Sequence, residues 1–146
     1  MWDPENPINC TTTASIQIES VKTGDSARDQ HLKGPDFFDA VRFPRITFNS
    51  KKFEFEGSKR FTLEGDLTLH GVTRSLRIQG EGPDRSGKIE NLISRLNFQA
   101  QTKLNRKDFG LEWNAAIEAG GVLVGDEIEI KLEVEFIQDS NPIKAS

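Results

Sequence analysis

The sequence is poor in the features that mark disulfide-stabilised, membrane-spanning or nucleic-acid-binding proteins. It has one cysteine, Cys10, which excludes an intrachain disulfide, and no histidine close in sequence activates that thiol. No apolar run approaches the ~20 residues that a membrane helix needs. The net charge of −4 and the scattered lysines and arginines argue against nucleic acid as a partner. We therefore expect a globular chain with a spectator thiol, no transmembrane segment and no nucleic-acid partner.

The first residues lack the basic start and the apolar stretch of a secretory signal peptide. The chain begins Met-Trp-Asp-Pro-Glu-Asn-Pro, which is polar and contains two prolines. Taken as written, the sequence predicts a cytoplasmic protein. A leader ahead of Met1 would instead make it periplasmic or secreted.

Signatures of metal binding and of catalysis are also missing from the sequence. Its two histidines, His31 and His70, lie far apart, and no cluster of three or four ligand residues with the short local spacing of a metal site appears. His70 has the parity of a polar strand face. There is no G-x-S-x-G motif, no phosphate-binding glycine loop and no Cys–His arrangement. We expect no metal site, no cofactor and no catalytic residues.

What the sequence does contain is alternation of apolar and polar residues. Between residues 128 and 136 every even position is apolar and every odd position is charged, which predicts a strand with one buried face. Similar alternation recurs at residues 16–18, 61–69 (interrupted at Gly65), 76–78, 96–104 and 111–117. Turn residues at 55–58, 82–87 and 120–121 separate these runs. Strands separated by turns predict an antiparallel sandwich or barrel.

A break in parity predicts a β-bulge. The apolar residues Ile46 and Phe48 are at even positions, whereas Phe53 and Phe55 are at odd positions. The switch falls at Lys51-Lys52. A bulge there would bend the strand, as a long strand in a barrel requires.

One segment, about residues 26–40, predicts helix. Ser26 is placed to cap its first turn, and Asp29 follows three residues later as in a capping box. A second short turn would carry Phe37 and Phe38. The whole pattern predicts one β domain over residues 1–138, followed by a flexible tail at 139–146.

Four motifs in the same order resemble those of the YceI-like family. T-G…R-D-Q-H-L…D-F-F-D occupies residues 23–39, and F-P-R-I-T-F-N-S occupies residues 43–50. G-D-L-T-L-H-G-V-T follows at 65–73, and N-R-K-D-F-G at 105–110. Their joint occurrence in this order is far more specific than any one motif alone.

The resemblance implies an all-β fold, a lipocalin-like antiparallel β-barrel with one short helical segment. It also implies binding, transport or sequestration of a polyisoprenoid lipid, an isoprenoid quinone or a similar amphiphile in the apolar interior. Members of the family usually carry about two more strands before the segment where this sequence begins. The resemblance therefore leaves open whether the barrel is incomplete or is completed by a second chain, as in a homodimer.

The candidate ligand-binding residues are apolar side chains expected to line the barrel interior. They are Phe37, Phe38, Phe43, Phe48, Leu67, Leu69, Phe98, Phe109 and Trp113. Alternation alone predicts that such residues are packed core. The resemblance implies that some of them also contact ligand.

Two polar residues of the helical segment, Arg28 and His31, are candidates for binding a polar head group. They lie three residues apart and so share a helix face, and arginine offers a fork of donors to phosphate. The alternative is structural: Asp29 caps the helix, and Arg28 forms a salt bridge to a nearby strand.

The segment Asn105, Arg106 and Asp108 before Phe109-Gly110 predicts a turn that fastens two strands. Asn and Asp bond to their own backbone, and Gly110 tolerates a positive φ. We favour this structural role over ligand binding.

Two other functions remain open from the sequence alone. One is a barrel-fold enzyme, an isomerase or hydrolase acting on a hydrophobic substrate with His31 and Asp29 as acid–base residues. The other is an interaction module that offers an open sheet edge to a partner strand.

Overall fold

The computed structural model describes residues 11–89, 92–115 and 123–137, which form six β-strands and one α-helix. The strands are β1 Thr13–Gln17, β2 Arg45–Glu56, β3 Arg60–Leu69, β4 Val72–Ile89, β5 Leu92–Asn105 and β6 Glu127–Ile137. The helix α1 spans Ser26–Lys33, and two 3₁₀ turns span Ile18–Ser20 and Arg106–Phe109. In the described part of the chain, no helix is long and apolar enough to cross a membrane.

The strands form a single antiparallel sheet in sequence order, so each strand pairs with the one before it. The sheet is curled into a half-barrel, with β1 and β6 as its edges among the described residues. The predicted all-β, antiparallel, barrel-type fold is therefore confirmed in the form of a half-barrel.

Alternation divides the sheet into an apolar inner face and a polar outer face. The register pairs Phe48 with Leu67, and Leu63 with Ile78, on the inner face. Burial of each large apolar side chain contributes roughly 1.5–3 kcal/mol. The buried cluster that results contains Phe48, Phe53, Phe61, Leu63, Leu67, Leu69, Ile78, Phe98, Leu104, Phe109 and Leu111.

The predicted β-bulge is confirmed in β2. The pairing of β2 with β3 shifts between Ser50 and Lys52, which leaves Lys51 as the extra residue. The Lys51 Nζ lies 2.7 Å from Asp66 Oδ2. Because the bulge absorbs one residue, Phe48 and Phe53 both point to the inner face despite their opposite parity.

Two predictions about strand breaks were wrong. Gly65 does not interrupt β3, because the ring of Phe48 covers it and a Cβ there would lie 2.6 Å from Phe48 Cζ. The turn expected at 82–87 is absent, since β4 continues to Ile89 with a register shift between Glu81 and Asp84. Gly82 and Pro83 lie within this register shift, and the strand continues past them.

A third strand prediction was also wrong. Residues 111–115 of the predicted strand at 111–117 have no strand structure. The carbonyls of Leu111 and Trp113 instead accept hydrogen bonds from Arg106, at 2.7 and 2.8 Å. The alternating pattern at 111–115 therefore belongs to an extended segment that the Arg106 side chain holds in place.

The helix is shorter than predicted, and its cap lies one residue earlier. Asp25 is the N-cap, where its Oδ1 accepts from the backbone N of Ala27 at 3.0 Å and of Arg28 at 3.1 Å. The prediction of Ser26 as the cap was therefore wrong. Helix α1 ends at Lys33 because Pro35 has no N–H and disfavours helix before it. Hydrogen-bonded turns replace helix in the rest of 26–40.

Several predictions fall outside the described residues. These concern Cys10, the turn at 120–121 and the tail at 139–146. The domain boundary at 138 also stays a prediction.

Candidate functional site

The inner face has a helix end and a hairpin end. At the helix end lie α1, the turn between β3 and β4, and the 3₁₀ turn Arg106–Phe109. At the hairpin end, a tight turn joins β2 to β3. Predicted site residues lie at both ends.

Three rings meet at the helix end: those of His31, Phe37 and Trp113. The His31 ring centroid lies 4.6 Å from that of Trp113 and 5.0 Å from that of Phe37, both edge-on. Phe37 and Trp113 are 5.2 Å apart. Two predicted site residues of the helical segment are thus brought together with Trp113, which is distant in sequence.

His31 also carries the polar contact of this group. Its Nε2 lies 2.9 Å from Asp36 Oδ2, and the two side chains are 42% and 47% exposed. The group therefore presents an imidazole and a carboxylate to solvent, directly beside two aromatic rings. Such an edge suits an amphiphile, since apolar and hydrogen-bonding surfaces adjoin.

Arg28 and Asp29 both form hydrogen bonds to Thr23, which precedes the helix. Arg28 Nε donates to Thr23 Oγ1 at 2.8 Å, and Nη2 donates to the Thr23 carbonyl at 2.9 Å. Asp29 Oδ1 accepts from the Thr23 backbone N at 2.8 Å and from its hydroxyl. The hydroxyl hydrogen bond lowers the pKa of Asp29 below its usual value.

These contacts change the interpretation of both residues. Asp29 does not complete a capping box with Ser26, and the Arg28 bonds stay within the turn instead of reaching a strand. Asp29 and His31 have different partners, Thr23 and Asp36. The structure therefore does not assemble the acid–base pair considered for an enzyme.

Phe43 and Phe109 hold the turn between β3 and β4. The Phe43 ring lies 4.8 Å from that of His70, and His70 Nδ1 lies 3.2 Å from the Phe109 carbonyl oxygen. The expectation that His70 belongs to the polar face was wrong. Its φ of 53° at the end of β3 turns the ring toward Phe43, where it is half-buried.

Arg106 has the structural role predicted for its motif. It is 2% exposed, and its Nε donates to the Gly125 carbonyl at 2.9 Å. Its Nη1 donates to the Leu111 and Trp113 carbonyls. Asn105 Oδ1 accepts from the Lys107 N at 2.9 Å, and Gly110 has a φ of 74°. Arg106 thereby holds the segment that carries Trp113 against the connection into β6.

The remaining apolar candidates lie in the inner face. Phe48, Leu67, Leu69, Phe98 and Phe109 belong to the buried cluster, and Phe38 packs against it. Their burial does not separate ligand contact from packing, so their assignment to a site stays a prediction.

The hairpin end carries an aromatic group that the list of candidates largely missed. We call it the aromatic shelf: Phe53, Phe55, Phe61 and Phe98. Phe53 stacks on Phe61 with centroids 5.2 Å apart and planes at 14°. Phe61 meets Phe98 edge-on at 5.8 Å. The parity switch at the bulge could have revealed Phe53 and Phe55 as inner-face residues.

A cavity of about 400 Å³ lies over the outer face. Two rows of residues that are partners across β3, β4, β5 and β6 line this cavity. One row is Thr62, Gln79, Gln101 and Lys131, and the other is Arg60, Glu81, Gln99 and Glu133. Both cationic and anionic side chains lie in this cavity, and none of the predicted ligand-binding residues does. Among the described residues, no group of three or more His, Cys, Asp or Glu could hold a metal ion.

Solved structures share the fold. A mutant YCEI protein of Campylobacter jejuni matches with 27% identity and a TM-score of 0.82, over 96% of this chain and 79% of that one. A polyisoprenoid binding domain from Saccharophagus degradans matches with 17% identity and a TM-score of 0.52, over 70% and 60% of the two chains. The second likeness concerns the fold alone.

Sequence relatives are found in enterobacteria. A UPF0312 protein of Photorhabdus laumondii is 34% identical over 115 residues, which are 76% of this chain and 57% of the relative. Protein YceI of Salmonella arizonae is 31% identical over 141 residues, or 94% and 68%. The chain thus spans little more than half the length of the first relative. The family model for the YceI-like domain matches residues 1–136, as the four motifs predicted. The chain belongs to the YceI-like domain family.

Proposed function

We propose that this chain binds an amphiphile with an isoprenoid tail, a polyisoprenoid lipid or an isoprenoid quinone, and carries or sequesters it without chemical change. The observation that carries the proposal is the inner face, an apolar surface contributed by neighbouring strands of a curled sheet. A curled apolar surface suits a long flexible hydrocarbon tail, whose burial is favourable in proportion to its area.

Two further observations support the ligand class. The Saccharophagus degradans domain that shares this fold is described as a polyisoprenoid binding domain. In this chain, His31 and Asp36 present polar groups beside Phe37 and Trp113 at the helix end. We propose that the polar head of the ligand lies there and that the tail runs along the inner face.

Binding is favoured over catalysis because the acid–base pair considered for an enzyme, His31 with Asp29, is not assembled. Asp29 is bonded to Thr23, and a lowered pKa makes its carboxylate a weaker base. His31 contacts a different carboxylate, that of Asp36.

The test is native mass spectrometry of protein purified from cells, with organic extraction in parallel. We expect a copurified prenyl lipid or quinone. A ligand-free protein that also fails to bind added geranylgeraniol would contradict the proposal.

We propose a second copy of the chain as the protein partner. Edge strands expose unpaired backbone groups, and β1 and β6 are the edges of the described sheet. Light scattering on the purified chain should then give twice the monomer mass. A monomer at all concentrations would contradict this proposal and leave the ligand proposal standing.

A further inference from the structure

The aromatic shelf closes the hairpin end of the inner face. Phe55 lies opposite Phe61 in the last pairs before the turn between β2 and β3. Phe53 lies one layer further in and stacks on Phe61. Phe53, Phe61 and Phe98 are only 6–8% exposed, so the rings bury one another. The shelf is thus a packed layer and not a set of separate side chains.

Two glycines of β4 let the shelf extend without a gap across the sheet. A Cβ at Gly80 would lie 2.4 Å from Phe61 Cζ, and one at Gly82 would lie 2.8 Å from Phe98 Cδ1. Phe61 comes from β3 and Phe98 from β5, so rings from both sides converge on β4. Together with the rings of β2, the shelf covers four consecutive strands.

Beyond the shelf, most buried side chains of the inner face are aliphatic up to the helix end, with the Phe48 ring lying among them over Gly65. Leu63, Leu67 and Leu69 follow Phe61 on β3, opposite Ile78, Arg74 and Val72 of β4, and Leu76 lies opposite Gly65. The Arg74 Nε donates to the Asp108 carbonyl at 3.2 Å. From Phe61 to Leu69 the strand rises roughly 26 Å at its usual spacing per residue. The aliphatic part of the face therefore has a defined length, bounded at one end by stacked rings.

We propose that the aromatic shelf stops the hydrophobic tail of the ligand and sets the longest isoprenoid tail that the site accepts. This inference rests on the proposed function, which supplies the tail and its direction from the helix end. Close-packed interior rings resist displacement, since moving one strains its neighbours. A tail longer than the aliphatic surface must fold back or leave its end in water.

The test is a competition between isoprenoid alcohols of different length. The protein is incubated with equal amounts of farnesol, geranylgeraniol and solanesol, and native mass spectrometry measures which alcohol is bound. In Phe53→Leu the ring above Phe61 is removed, while the contact of Phe61 with Gly80 stays. We expect the bound ratio of solanesol to geranylgeraniol to rise about tenfold over the unsubstituted chain, as for other hydrophobic pockets enlarged by small groups.

Two more variants make the result interpretable. Phe55→Leu acts on a half-buried ring and disturbs packing less, so it should shift the ratio in the same direction even if Phe53→Leu folds poorly. Ile18→Val trims a buried side chain that does not belong to the inner-face cluster and should leave the length preference unchanged. The same ratio in the unsubstituted chain, Phe53→Leu and Phe55→Leu would overturn the length limit and leave the proposed function intact. Failure of the unsubstituted chain to bind any of the alcohols would overturn both.

Discussion

Phe61 and Gly80 are direct partners across β3 and β4, and the Phe61 ring fills the space that a side chain at position 80 would need. A Cβ built on Gly80 lies 2.4 Å from Phe61 Cζ and 2.4 Å from the Gln99 carbonyl oxygen. Phe48 lies over Gly65 in the same way. Glycine inside a strand usually weakens it, but here it permits a ring from the neighbouring strand to cover the backbone.

Gly80→Ala should therefore destabilise the fold by about 1–3 kcal/mol, the usual cost of overpacking a well-packed interior. Urea unfolding followed by circular dichroism measures this change. Gly125→Ala is the matched control, because no atom lies within 4 Å of a Cβ at that position. Equal stability of the two variants would show that the ring and strand move apart at little cost.

Arg106→Leu should destabilise the chain by about 3 kcal/mol or more. It leaves the buried Leu111 carbonyl and the partly buried carbonyls of Gly125 and Trp113 without their donor, and an unsatisfied buried group costs about 1–3 kcal/mol. Arg106→Lys should recover little of this, because lysine lacks the planar fork of donors.

The control for the two Arg106 variants is Lys107→Leu. The Lys107 Nζ lies 3.3 Å from Asp126 Oδ2 in a solvent-exposed pair, and such pairs contribute about 0–1 kcal/mol. Urea midpoints that fall equally in Arg106→Leu and Lys107→Leu would refute the role given to the buried guanidinium.

Thr23→Val should raise the pKa of the Asp29 carboxyl toward its usual value of 3.8, because the hydroxyl that stabilises the carboxylate is lost. A folded-state pKa below the unfolded value stabilises the fold above the unfolded pKa. That stabilisation is lost as the pH falls from about 3.8 through the folded pKa. NMR titration of the carboxyl measures the shift, with Asp29→Asn as the variant that removes this contribution altogether. An unchanged Asp29 pKa in Thr23→Val would mean that the Thr23 hydroxyl is not the cause of the lowered pKa.

Gly110→Ala should cost about 1–2 kcal/mol, because an alanine at a φ of 74° is in the left-handed region. The effect is one of backbone conformation, since the nearest atom to a Cβ there is His70 Nδ1 at 3.6 Å. Gly110→Asn should cost less, because asparagine tolerates this region better. Thermal unfolding of both variants gives the order, and a larger loss for asparagine would contradict it.

Alternation predicts the fold well wherever one face of a strand is buried. It identifies the inner-face residues of β3 and β5, and the change of parity at Lys51 locates the bulge in β2. Turn residues are a poorer guide at 82–87, where Gly-Pro-Asp predicts a turn that the structure does not have. The sheet accommodates these residues within a register shift, and pairing with β5 carries the strand past them.

The candidate site is less predictable from the sequence, because its groupings depend on contacts between distant segments. The rings of His31 and Trp113 are in contact because Arg106 holds the extended segment that carries Trp113 in place. The ring of Phe61 finds space only because the register sets Gly80 opposite it. The rows that line the outer-face cavity likewise arise from four strands in register.

The order of the strands has a consequence for how the chain folds. Three of the five strand pairs, from β2 to β5, are joined by short connections, so little loop-closure entropy is lost in forming them. The contacts of a sequential meander are local for a β protein, and local contacts favour fast folding. The β1–β2 and β5–β6 pairs close over the longer segments that hold α1 and Arg106. We therefore expect the central hairpins to form first and the two edge strands to join them last.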